Sequence, residues 1–77
     1  MEGLTVGRMV HYVAYGTPKG EYPPRKHRAA VVTEVGDAKK GIVSLCIFNP
    51  GGFLFDIDCH YSEDTSIPGT WHWIERA

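Results

Sequence analysis

The stretch Ile42–Ile57, IVSLCIFNPGGFLFDI, decides the fold. Val43, Leu45 and Ile47 alternate with Ser44, Cys46 and Phe48, the period of two that puts one face of a strand in a core and the other outside. Asn49-Pro50-Gly51-Gly52 then stops the strand. The proline presets one φ and the glycines accept positive φ without a Cβ clash, so the chain turns back on itself. Phe53 to Ile57 or Asp58 resumes an extended run. The centre of the sequence is therefore a hairpin: a third strand over Ile42–Asn49 and a fourth from Phe53.

Working outward, Arg28–Val35 (RAAVVTEV) alternates in the same way and ends at Gly36-Asp37, a turn signal followed by Lys39, Lys40 and Gly41. It is the second strand. Residues 16–27 (GTPKGEYPPRKH) hold two Gly and three Pro, which forbid a regular ladder, so this is a long loop. Before it, Arg8–Tyr15 (RMVHYVAY) is rich in β-branched and aromatic residues and reads as the first strand. On the other side, Cys59–Gly69 is polar and acidic, contains Pro68-Gly69, and reads as a loop; Thr70–Ile74 (TWHWI) is a short fifth strand. No window carries a helical apolar stripe, and there is no internal repeat.

Five short strands with this spacing predict an all-β domain, a small five-stranded antiparallel barrel of the SH3-like kind, with an OB-like barrel as the alternative. The expected core is Val10, Tyr12, Val31, Val43, Leu45, Ile47, Phe53 and Phe55. Seventy-seven residues make one domain, residues 1–77, because a second core would not fit. A domain near this size buries only about 60% of the surface its unfolded chain exposes, so self-association into a homo-oligomer is expected.

Eight Lys and Arg stand against nine Asp and Glu, for a net charge of −1. That balance provides no basic field for duplex nucleic acid. The first residues lack the charged and apolar segments of a signal peptide, and there are only two cysteines, Cys46 and Cys59; the expected setting is a reducing cytoplasm. No apolar run approaches the ~18 residues of a membrane span, so no membrane partner is expected.

Aromatic and imidazole groups gather at His11-Tyr12, His60-Tyr61 and Trp71-His72-Trp73. First and last strands of a small barrel are commonly neighbours, which would bring His11 close to His72. Flat rings stack on bases, and Arg25, Lys26 and Arg28, presented after Pro23-Pro24, offer charge-assisted donors to phosphate. The candidate ligand-binding set is His11, Tyr12, Arg25, Lys26, Arg28, Tyr61, Thr70, Trp71 and His72, with Thr70 donating a hydroxyl bond. Two plainer roles stand beside it: the basic run as a solvated loop, and either tryptophan as a plug for the barrel, since Trp71 and Trp73 share a face opposite His72.

Cys46, Cys59, His60 and His72 are zinc-ligand types, but no CxxC or His-x3–5-His pair makes them converge. Asp56, Asp58, Glu63 and Asp64 lack the pattern of a calcium loop. No metal or cofactor is expected. Cys59 and His60, adjacent on the chain, would point to opposite faces and form no dyad, and no phosphate-binding glycine loop or serine elbow is present. The reading is a binding protein, not an enzyme.

His11-Tyr12-Val13, Gly20-Glu21, Ala29-Ala30-Val31-Val32, Tyr61-Ser62-Glu63-Asp64 and above all Pro68-Gly69-Thr70-Trp71-His72-Trp73 resemble a family of small proteins of tailed phages and prophages. The likeness covers nearly the whole chain. In that family Trp73 is typically followed by Pro-Glu-Arg, whereas here Ile74 precedes Glu75 and Arg76. The resemblance implies a phage origin and action in the host cytoplasm, and it carries over no catalytic residue. By analogy with phage proteins that blunt bacterial immunity, it implies a sponge that sequesters a cyclic nucleotide signal, either a cyclic oligonucleotide or a cyclic ADP-ribose-like messenger. An SH3-like module that inhibits a host or phage protein, and a single-strand nucleic-acid binder, are the alternatives.

Overall fold

The computed structural model describes residues 1–20 and 22–75. Five strands, β1 (Met9–Val13), β2 (His27–Asp37), β3 (Ile42–Asn49), β4 (Gly52–Tyr61) and β5 (Thr70–His72), close into one barrel in the order β1-β2-β3-β4-β5. Among the described residues no helix is long and apolar enough to cross a membrane. The all-β barrel read from the hairpin is therefore the fold, and β3 has the expected bounds.

One pairing departs from an all-antiparallel barrel: β5 runs parallel to β4, with His60 opposite Thr70 and Tyr61 opposite Trp71. The 62–69 segment carries the chain back to the level of His60, so β5 starts beside the end of β4 and runs the same way. Its other edge closes the barrel through two antiparallel pairs only, His11 with His72 and Tyr12 with Trp71. β4 is also longer than expected, because Cys59, His60 and Tyr61 are strand and not loop.

The core consists of Val10 and Tyr12 from β1, Ala30 and Val32 from β2, Val43, Leu45 and Ile47 from β3, Cys59 from β4, Trp71 from β5, and Leu4. Phe53 and Phe55, expected inside, are 68% and 71% exposed. The hairpin decides this. Asn49 pairs with Gly52 and Phe48 with Phe53, and paired residues share a face; with Ile47 inside, Phe48, Phe53 and Phe55 must all stand outside, since a shift of one residue flips the whole strand. Val31 is outward for the same reason: it pairs with Met9 and Cys46, and its neighbours Ala30 and Val32 point in.

Cys59 recovers the inner face through a bulge. Leu45 pairs with Asp56 but Val43 with Cys59, so β4 spends one extra residue there, and Asp58 takes φ +58. Trp71 is the barrel plug. Its ring is fully buried, meets Tyr61 and Trp73 edge-on at centroid distances of 5.1 Å each, and its Nε1–H donates to the Gly41 carbonyl at 2.7 Å. Trp73 is half-buried, with the Arg8 guanidinium 5.3 Å over its ring.

Candidate metal centre

His11 and His72 are cross-strand partners, as the neighbourhood of first and last strands suggested. A third histidine joins them. His27 opens β2 opposite Val13, two residues from the pair His11–Ala29, so it shares the outer face of the sheet with His11 and lies diagonally across from it. Three adjacent strands thus each present one imidazole at the same place. The ring centroids are 5.9 Å (His11–His27), 5.8 Å (His11–His72) and 4.6 Å (His27–His72) apart.

Glu75, three residues after His72, closes the group. One carboxylate oxygen meets His11 Nδ1 at 3.0 Å and also His72 Nε2, and the other meets His27 Nδ1 at 2.8 Å. These contacts, the hydrogen bond from His11 foremost, hold the Glu75 carboxyl down to about 2. His72 lies on the outer side of β5 yet is buried, and that burial pushes its imidazole below the ordinary value, favouring the neutral ring whose lone pair can ligate. Its Nδ1 has no hydrogen-bond partner among the described residues, so packing and the Nε2 contact with Glu75 orient this ring.

His27 shows what the cluster is suited to hold. Its Nδ1 faces the Glu75 carboxylate, and its Nε2 faces the Thr65 carbonyl at 2.8 Å. Both neighbours only accept, whereas a neutral imidazole has a single N–H. With its N–H on Nε2 toward Thr65, the ring would turn its Nδ1 lone pair to the cluster, the usual arrangement of a metal-ligating histidine; with the N–H on Nδ1 it donates to Glu75 instead. A cation between Nδ1 and Glu75 satisfies every group at once.

The four donor atoms, three imidazole nitrogens and one carboxylate oxygen, lie within 4.8 Å of one another. In a tetrahedral zinc site with bonds of about 2.0–2.1 Å they would be about 3.3 Å apart. The Glu75 contacts with His11 and His27, at 3.0 and 2.8 Å, are shorter than this spacing, so the carboxylate would have to draw back from the imidazoles to admit an ion. Nitrogen-rich, thiolate-free donors suit zinc and its neighbours in the first transition row, not calcium or magnesium.

Of the ligand types weighed from the sequence, only His72 belongs to this site. Cys59 is buried, its thiol donates to the Gly69 carbonyl at 3.4 Å, and burial pushes it up to about 12; it is inert. His27 was hidden by its neighbours, because Arg25-Lys26-His27-Arg28 reads as one basic run. The approach of His11 to His72 was legible from the order of the strands, and the spacing His72-x-x-Glu75 is a local signal that could have added the carboxylate.

The remaining candidate ligand residues do not form a single site. Tyr12 and Trp71 are buried in the core and offer no open ring for a base; the Tyr12 hydroxyl is bonded to Asp56, and burial raises its pKa. Tyr61 packs edge-on against Trp71, and the Thr70 hydroxyl donates to the Ile67 carbonyl at 2.7 Å. Arg25 and Lys26 are exposed. Arg28 lies with its guanidinium 5.6 Å over the Tyr22 ring, and its buried Nε has no partner among the described residues. Tyr22 in turn lines an apolar pocket of about 80 Å³ with Tyr12, Tyr15, Asn49 and Leu54.

No family model, no curated protein and no solved structure matches the chain. The class of protein is thus defined by fold and site alone: a closed five-stranded barrel with a three-histidine, one-glutamate cluster at its β5–β1–β2 seam.

Proposed function

We propose that this is a small non-enzymatic binding barrel built around one zinc-class divalent ion, held by His11, His27, His72 and Glu75. The observation that carries the reading is the convergence of three imidazoles on one carboxylate, with the Thr65 carbonyl 2.8 Å from the outer nitrogen of His27. The ion has a mechanical task. β5 is three residues long and meets β1 through two residue pairs, a weak seam for a closed barrel, and an ion shared by His72, His11 and His27 fastens the last strand to the first two. Metal binding free energy is then folding free energy.

The test is titration of chelator-stripped protein with zinc by calorimetry, and with cobalt(II) by visible absorption. The expected results are one ion per chain and the intense ligand-field bands of a tetrahedral nitrogen–oxygen site. His27→Ala, changing a ring about one-third exposed, should keep the fold and weaken binding at least tenfold. Binding no tighter than millimolar, or a His27→Ala variant that binds as the wild type does, rejects the proposal.

A second reading is favoured by the Arg28–Tyr22 stack beside the tyrosine pocket: a phage-encoded protein that sequesters a small cyclic nucleotide in the host cytoplasm. One pocket of about 80 Å³ is well below the roughly 300 Å³ at which small-molecule sites begin, so such a ligand would need surface from a second copy. Thermal unfolding against cyclic dinucleotides, cyclic trinucleotides and cyclic ADP-ribose isomers tests it. A selective rise in midpoint that Arg28→Ala abolishes supports it, and a flat panel removes it.

A further inference from the structure

The outer face of the β1–β4 sheet carries an unbroken apolar row. Met9 pairs with Val31, Val31 with Cys46, and Cys46 with Phe55, so four strands place these side chains side by side on the outside. Phe53 and Ile57, two residues either side of Phe55, widen the row, and Phe48 packs edge-on against Phe53 at 5.5 Å. Phe53, Phe55 and Ile57 are 68%, 71% and 76% exposed, and Met9 40%.

We infer that this face is where two copies of the chain associate, sheet against sheet, about a two-fold axis. Two arguments on the molecule point to a second copy. The row from Met9 to Phe55 holds no charged side chain, so a two-fold rotation brings no like charges together, which an isologous contact requires. The area also suffices. Taking about 200 Å² for a whole large side chain, the exposed apolar groups present on the order of 500 Å², at the upper end of the patches tolerated on monomers. Two such faces supply on the order of 1,000 Å² before any rim is counted, the threshold of a specific interface.

Sedimentation of the purified full chain from about 1 to about 200 µM, the range in which a dimer of micromolar affinity dissociates, is the experiment. The wild type should move from monomer to dimer across this range, and Phe55→Asp, which sets two carboxylates against each other across the axis, should stay monomeric with an unchanged circular dichroism spectrum. Ile57→Lys repeats the test with the opposite charge, so that the result does not depend on one substitution. A wild type that is monomeric throughout, including one that instead holds a different protein stoichiometrically, overturns the inference. So does a Phe55→Asp variant that dimerises as the wild type does.

Discussion

Replacing Trp71 with phenylalanine probes the element that organises the core. The indole is fully buried, touches Tyr61 and Trp73 edge-on, and donates Nε1–H to the Gly41 carbonyl at 2.7 Å. Phenylalanine keeps one ring and loses the N–H. The Gly41 carbonyl also accepts from the Tyr61 amide at 3.1 Å, so it is not orphaned, and the hydrogen-bond loss falls in the ordinary range of about 0.5–1.5 kcal/mol. The missing ring atoms leave about 40 Å³, which at roughly 24 cal/mol per Å³ of cavity adds about 1 kcal/mol, and the weakened edge contacts add about 0.5 kcal/mol. The expected cost is about 2–3 kcal/mol, read as a fall of roughly 10–20 °C in thermal midpoint for a domain this small. Trp73→Phe is the control: Trp73 is half-buried under Arg8 and its ring packs at the margin of the core and not at its centre, so its cost should stay below about 1 kcal/mol. Urea unfolding followed by far-ultraviolet circular dichroism measures both. Equal losses for the two variants would refute the assignment of Trp71 as the plug.

Gly41 sits at φ +72, and an added Cβ would lie 2.8 Å from Tyr61 Cβ and 2.9 Å from Met1 Sδ; Gly41→Ala should cost about 2 kcal/mol or more in urea unfolding. Gly20→Ala, at φ +75 but facing open space, should cost about 1 kcal/mol from backbone strain alone. Under native conditions at pH 8, iodoacetamide should modify half-buried Cys46 well before Cys59, whose thiol is pushed up to about 12; mass spectrometry that finds both labelled at one rate would contradict the buried Cys59. Asp37 accepts the Lys39 and Lys40 amides at 3.0 Å each, and the Lys40 bond foremost holds its carboxyl below the ordinary value. A carboxyl lowered on folding stabilises above its unfolded pKa, and that contribution is lost as pH falls through the folded one. Asp37→Ala should therefore lower the midpoint at pH 7, and its gap to the wild type should narrow as the pH falls below about 4, as thermal scans across that range would show.

Local rules made the strands legible. The period-two pattern of Ile42–Asn49 and the Asn49-Pro50-Gly51-Gly52 turn act over a few residues, so they can be read from adjacent side chains and place β3 and the hairpin where they fall. The same pattern has two solutions for β4, because Phe53-Leu54-Phe55 is apolar on both faces. Only the pairing of Phe48 with Phe53 chooses between them, and it turns the phenylalanines outward.

What the sequence by itself determined is the five-stranded all-β barrel and the juxtaposition of its first and last strands, which follow from alternation, turn chemistry and closure. What only the tertiary structure decided is the site. His11, His27, His72 and Glu75 are separated by up to 64 residues, and no local spacing reports that β2 enters the sheet one residue early, at His27, on the face His11 already occupies. Register, bulge and the return of the 62–69 segment are long-range pairings. Their combined geometry places the Thr65 carbonyl behind His27 and aims three imidazoles at one carboxylate.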